Sequence, residues 1–174
     1  MENDKQQINK IKKCFKLLAY GFTFAMFYSL FVVASPWVNI GVSVEVLTVY
    51  WGIVKLIFGI GLICYYNSVK KPKLAFAGIF MLSSFVFTLF PISGFLSLTM
   101  EALAISALSL VLFDLNKLFP GLRLSVASGL IFLGVIFSIL NNQMMLSIAS
   151  FAWLFGFLVA ATRINILSKL KPGA

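Results

Sequence analysis

Long apolar runs separated by short polar breaks dominate the hydrophobic pattern of this chain. Six runs approach the roughly 20 residues that an α-helix needs to cross a bilayer; they cover residues 15–34, 44–66, 74–92, 96–115, 122–140 and 144–166. Only helices and closed barrels are stable in hydrocarbon, and barrel strands would alternate over about ten residues. The pattern therefore predicts an all-α, polytopic transmembrane helical bundle of six spans.

The breaks between these runs contain residues that favour turns and oppose helix continuation. They are Ser35-Pro36-Trp37, Lys70-Lys71-Pro72, the Pro-Ile-Ser-Gly sequence at 91–94, Pro120-Gly121 and Asn141-Asn142-Gln143. The boundary after the fourth run is the least sharp, since residues 114–119 are compatible with a helix that continues beyond the membrane.

The overall composition agrees with a membrane protein. Hydrophobic residues make up 61% of the chain and charged residues 11%, against about 45–50% and 25% in ordinary globular domains. A soluble domain of 174 residues has too high a surface-to-volume ratio to bury so much apolar surface. Lipid is therefore expected to be the solvent for most of the chain.

The basic residues predict the orientation. They cluster at 5–16, 70–73, 117–123 and 163–171, whereas 35–43, 91–95 and 141–143 contain no Lys or Arg. By the positive-inside rule, both termini and the basic connections lie in the cytoplasm. The organisation expected is a basic cytoplasmic segment at 1–14, a six-span domain at 15–168 and a short cytoplasmic tail at 169–174. The first run has no small-x-small cleavage site after it and is interpreted as a retained span. The expected location is the plasma (cytoplasmic) membrane of a prokaryote.

The formal net charge of +9 is explained by the same cytoplasmic face. Lys and Arg near a membrane surface are attracted to anionic headgroups by about 1 kcal/mol each, so anionic lipids are the expected partner and nucleic acid is not. An acidic protein docking on this face is the alternative.

Two weaker patterns concern the packing of the helices. The stretches that begin at Lys73-Leu74 and Arg123-Leu124 share a basic entry, small residues and an apolar run, which is typical either of three repeated helical hairpins or of any span that enters from the cytoplasm. Small residues lie four apart at Ala152, Gly156 and Ala160. Such faces allow close helix contact, either inside one bundle or in a homo-oligomer.

Few residues of this chain are suited to catalysis. It contains no His, and its cysteines, Cys14 and Cys64, are far apart in the sequence and expected on the cytoplasmic side, where thiols stay reduced. No nucleophile, phosphate-binding, metal or paired-carboxylate motif is present. We therefore predict neither an enzyme nor a cofactor or metal site.

Three ionisable residues fall within or beside the apolar runs: Glu45, Lys55 and Glu101. At 1.5 Å per residue from the outer boundary, Lys55 lies roughly 16 Å deep and Glu101 roughly 12 Å, which is close enough for a salt bridge between spans two and four. Charges at such depth face the bundle interior or water and often mark a transport path. The candidate substrate- or ion-binding residues are these three together with Tyr50 and Trp51; a purely structural ion pair is the alternative.

These features favour a small transport protein, or the membrane subunit of one, with its site between spans two and four. The alternative is a non-catalytic accessory subunit of a larger membrane complex. In size, span number and cytoplasmic termini the chain resembles the substrate-binding subunits of energy-coupling-factor vitamin transporters. Their Ala-x-x-x-Ala pair in the first helix is not matched, since Ala19 is followed by Thr23 and Gly21 by Ala25.

Overall fold

The structure is a computed structural model that describes residues 2–35, 42–90, 94–140 and 143–169. All regular structure within these ranges is helical: α1 (Glu2–Ala34), α2 (Val44–Val69), α3 (Pro72–Leu89), α4 (Gly94–Leu118), a 3-10 turn (Pro120–Leu122), α5 (Leu124–Ile139) and α6 (Gln143–Lys169). Five of these helices are long and apolar enough to cross a membrane. The predicted all-helical bundle is confirmed for the described residues, and five of its six predicted spans have the length and composition of membrane helices.

Apart from the start of α1, the helix ends lie within about three residues of the predicted spans. The helix α1 begins at Glu2 rather than near residue 15, so the basic N-terminal segment continues the first span as one helix. The helix α5 has 16 residues, or about 24 Å of length, against about 30 Å of hydrocarbon. It begins later than predicted because Leu122 belongs to the 3-10 turn and Arg123 has a left-handed backbone (φ 50°). The helix α4 continues to Leu118, as the soft fourth boundary allowed.

The six helices form a closed ring in which each packs against the helices before and after it and α6 packs against α1. Large aromatic side chains fill the inside. The Phe22 ring lies 4.7 Å from that of Phe58 and 6.2 Å from that of Phe157, and Trp51 reaches Phe157 at 6.3 Å. These contacts between aromatic rings join α1, α2 and α6 in one core.

The tight connection between α2 and α3 shows how local chemistry sets the packing. Lys70 adopts a left-handed backbone (φ 57°) and its N–H donates to Tyr66 O, which ends α2, and Pro72 begins α3 one residue after Lys71. Farther along the hairpin the two backbones approach at Gly59 and Gly78. A Cβ on either would lie 3.3 Å from the other's carbonyl oxygen, so small residues permit this contact.

Two serines join α4 and α5 at the corresponding place. Ser109 Oγ donates to the Ser128 carbonyl at 2.8 Å, and Ser128 Oγ donates to the Ser109 carbonyl at 2.8 Å. Ser109 and Ser128 stand 50 residues after Gly59 and Gly78 respectively. Both helix pairs therefore have small residues in contact at matching positions.

Other buried positions follow the same spacing. In six further pairs, both residues are buried and stand 50 positions apart: Leu74 and Leu124, Ala77 and Ala127, Met81 and Ile131, Val54 and Ala104, Phe58 and Leu108, and Leu62 and Leu112. From α4 to α6 the spacing becomes 52 residues, as for Ala104 and Gly156 or Leu112 and Ile164, which are likewise buried. Buried positions thus correspond between α2 and α4, between α3 and α5, and between α4 and α6.

The two cysteines are paired with each other, whereas the sequence predicted thiols that stay reduced. Cys14 of α1 and Cys64 of α2 form a disulfide bond, with their Cα atoms 5.6 Å apart. This pairing was not predictable from the sequence, because 50 residues separate the two cysteines and only the packing of α1 on α2 brings them together. The bond ties the two helices near their basic ends.

Candidate functional site

Lys55 is a charged residue in the interior of the ring. Its side chain is only 2% exposed. The ammonium group donates to Glu101 Oε2 at 2.9 Å and to Thr88 Oγ1 at 2.8 Å. The salt bridge expected between spans two and four is therefore present, and it lies where α2, α3 and α4 meet.

Glu101 has a second partner on α2. Its Oε1 accepts a hydrogen bond from Trp51 Nε1 at 2.8 Å. The Trp51 ring stacks on Tyr28 of α1 with 4.6 Å between centroids, and Lys55 Nζ lies 5.6 Å from the Trp51 ring centroid. The carboxylate is thereby held by a cation and an indole, which stand one helical turn apart on α2.

Thr88 completes the polar group, and sequence reasoning missed it because threonine carries no charge. Its hydroxyl donates to the Ser84 carbonyl one turn earlier in α3, at 2.9 Å. With its only hydrogen used there, Thr88 Oγ1 acts as an acceptor toward Lys55. The ammonium therefore has two oxygen acceptors and an aromatic ring nearby.

A cavity of about 540 Å³ between α4, α5 and α6 adjoins this ion pair. Its wall is mainly apolar, with Ile105, Val135 and Leu146 among the lining residues, and its polar groups include Glu101, Ser138 and Trp153. Glu101 remains 28% exposed. One carboxylate therefore belongs to both the ion pair and the cavity wall, an arrangement that suits binding of a small solute.

The other two residues selected from the sequence lie apart from this group. Glu45 is an exposed residue in the first turn of α2, where Ser43 caps the helix through Val46 N–H. Tyr50 donates its hydroxyl to the Phe24 carbonyl of α1 at 3.0 Å, so it joins α2 to α1. The structure brings together Lys55, Glu101 and Trp51 but not these two.

In the described parts of the chain, no three His, Cys, Asp or Glu side chains are grouped so that they could hold a metal ion. The chain matches no protein-family model, no curated protein and no solved structure. Proposals about its function therefore depend on the geometry of Glu101 and its neighbours.

Proposed function

We propose that this chain is a small transport-type protein of the plasma membrane of a prokaryote, with six spans and both termini in the cytoplasm. Five helices have the length and composition of spans. The short helix α5 lies between α4 and α6 in a closed ring, and a sixth crossing there restores the alternation of basic and uncharged connections. Anionic lipids would cover the basic face.

The bundle is proposed to consist of three repeated helical hairpins. The support is the common spacing of buried positions, above all the Gly59–Gly78 contact and its counterpart, the Ser109–Ser128 pair. A generic inside-to-outside span would share a basic entry and small residues, but it has no reason to repeat the interhelical contact at the same spacing. Internal repeats with a site between them are common in transporters.

The proposed binding site is the cavity between α4, α5 and α6 together with the ion pair at its edge. The observation that carries this proposal is the double role of Glu101, which pairs with buried Lys55 and also lines the cavity. A purely structural ion pair has no need of a partly exposed carboxylate in the wall of a cavity. Burying these two charges is costly in a membrane protein, and such charges commonly mark a solute or ion path.

Native mass spectrometry of the protein, released gently from its own membrane, tests this proposal. We expect a single chain or a small homo-oligomer that carries a discrete extra mass distinct from bulk phospholipid. The variant Ala102→Trp places an indole in the cavity wall and should lose this mass. Its matched control, Leu103→Trp, changes the next residue of α4, whose side chain is 46% exposed and does not line the cavity.

Retention of the same mass in both variants, or its absence from the unaltered protein, contradicts a binding site in the cavity. A larger assembly of defined stoichiometry with no bound solute would instead make the chain an accessory subunit of a membrane complex.

A further inference from the structure

We propose that the cavity binds a solute with a primary ammonium group on an apolar chain, an inference that rests on the proposed binding function. The cavity and the Lys55 site occupy corresponding places in successive hairpins. At the first site Lys55 supplies the ammonium group. At the cavity the corresponding residue is Ile105, whose shorter side chain leaves space for a solute.

The correspondence follows from the spacing of the buried positions. Lys55 has as its neighbours Trp51, Thr88 and Glu101. The residues 50 further along from Lys55, Trp51 and Thr88 are Ile105, Glu101 and Ser138, and the residue 52 further along from Glu101 is Trp153. All four counterparts line the cavity.

Both sites therefore contain a carboxylate, a hydroxyl and an indole, although the helices that contribute them differ. Lys55 has a carboxylate from α4, a hydroxyl from α3 and an indole from α2. The cavity has a carboxylate from α4 (Glu101), a hydroxyl from α5 (Ser138) and an indole from α6 (Trp153). An ammonium is recognised by all three groups, through charge-assisted hydrogen bonds and the cation–π attraction.

The hydroxyl in the cavity is an acceptor, as Thr88 is beside Lys55. Ser138 Oγ donates its hydrogen to the Val135 carbonyl at 2.8 Å, so its lone pairs are left to accept. Trp153 Nε1 donates to the Ile131 carbonyl at 3.2 Å, so its N–H is engaged within the bundle. With the Ser138 and Trp153 donors both used, these groups favour a solute that donates hydrogen bonds.

The carboxylate can accept a further hydrogen bond. An ionised carboxylate has about four lone-pair sites; Lys55 and Trp51 each occupy one on Glu101. Because Glu101 lines the cavity and is 28% exposed, a solute in the cavity can reach this carboxylate. The apolar part of the solute would lie against Ile105 and Val135, and the volume of about 540 Å³ is in the usual range of about 300–1,000 Å³ for small-molecule sites.

Three probes of similar length and different charge test this inference: n-hexylammonium, hexan-1-ol and hexanoate. Each is titrated calorimetrically into the full chain in phosphatidylcholine nanodiscs, with empty nanodiscs subtracted. We expect n-hexylammonium to bind at least about tenfold more tightly than the other two, since one charge-assisted hydrogen bond contributes that much.

The variant Ser138→Ala should weaken the binding of n-hexylammonium about tenfold, because it removes one hydrogen-bond acceptor from the cavity. Ser29→Ala is its control, because the Ser29 hydroxyl likewise donates to a carbonyl of its own helix, α1, and does not line the cavity.

The variant Lys55→Met should instead strengthen the binding of n-hexylammonium. It leaves the Glu101 carboxylate without its cation, so an added ammonium should bind about tenfold more tightly than to the unaltered chain. A merely structural ion pair beside a nonspecific cavity would give no such gain. Unchanged or weaker binding of n-hexylammonium to a folded Lys55→Met protein overturns the inference.

The outcomes separate this inference from the proposed function. If all three probes bind equally and Ala102→Trp abolishes their binding, the cavity is a solute site without selectivity for ammonium, and only the inference fails. If no probe binds and the chain also carries no native solute, both fail.

Discussion

Removing either charge of the Lys55–Glu101 pair should destabilise the protein, and the two losses should be unequal. Lys55 is 2% exposed and Glu101 28% exposed. Glu101→Gln leaves an ammonium buried without a counterion. Lys55→Met leaves a carboxylate that still accepts from Trp51 Nε1 and reaches the cavity. The first variant should therefore be the less stable of the two.

The magnitudes follow from this difference in exposure. Breaking a buried ion pair by deleting one partner costs about 3–5 kcal/mol, which applies to Glu101→Gln. Lys55→Met should cost about 1–3 kcal/mol, the usual penalty for a group left partly unsatisfied. The double variant carries neither charge, and methionine fills much of the lysine volume, so it should lie within about 1 kcal/mol of the unaltered protein. The coupling between the two sites is then about 3 kcal/mol or more.

A double-mutant cycle measured by reversible unfolding in mixed detergent micelles tests these values. An ordinary interhelical hydrogen bond in a membrane protein gives a coupling of about 0.6 kcal/mol, which sets the comparison. Additive effects of the two substitutions would refute the reasoning, as would a greater loss in Lys55→Met than in Glu101→Gln.

Three further predictions concern the helix contacts. Ser109→Ala removes one hydroxyl of the reciprocal pair with Ser128 and should lower the free energy of unfolding by about 1 kcal/mol in the same micelle assay; no loss would show that the pair is replaceable by apolar packing. Gly59→Ala places a Cβ 2.6 Å from a leucine side chain of α3 and should cost about 1–3 kcal/mol, measured as a lower midpoint of unfolding. The structure joins Cys14 and Cys64 in a disulfide, but the proposed orientation places both in the reducing cytoplasm, where the bond should be open in cells. After acid quenching, a maleimide added under denaturing conditions should therefore label both cysteines without prior reduction. Labelling only after chemical reduction would show that the disulfide persists and would contradict that orientation.

The helices were predictable from the sequence because each is a long apolar run bounded by turn residues. Their ends were less so, since the residues before Phe15 are polar but compatible with a helix, and nothing in their hydrophobicity distinguishes a cytoplasmic extension from a loop. The salt bridge was also predictable, because two opposite charges at similar depth in an apolar chain have few other partners.

The rest of the candidate site was not predictable, because its members are uncharged or common in membrane helices. Thr88 and Ser138 resemble any hydroxyl residue that bonds to its own helix, and Trp153 resembles any apolar span residue. The disulfide depends on the angle at which α1 meets α2, which sequence periodicity does not give. Only the spacing of 50 residues could have pointed to Ser138, and it became meaningful once burial was known.

The lysine at position 55 is best understood together with its counterpart, Ile105. If the hairpins are repeats, the lysine side chain fills one polar pocket between hairpins, and the isoleucine leaves the next one open beside the same carboxylate. A site with its own internal cation is closed to a solute cation, because the space and the acceptors are taken. The adjacent site keeps an acceptor, a hydroxyl and an indole but lacks the cation, so the replacement of lysine by isoleucine would be the step that turns a structural contact into a binding site.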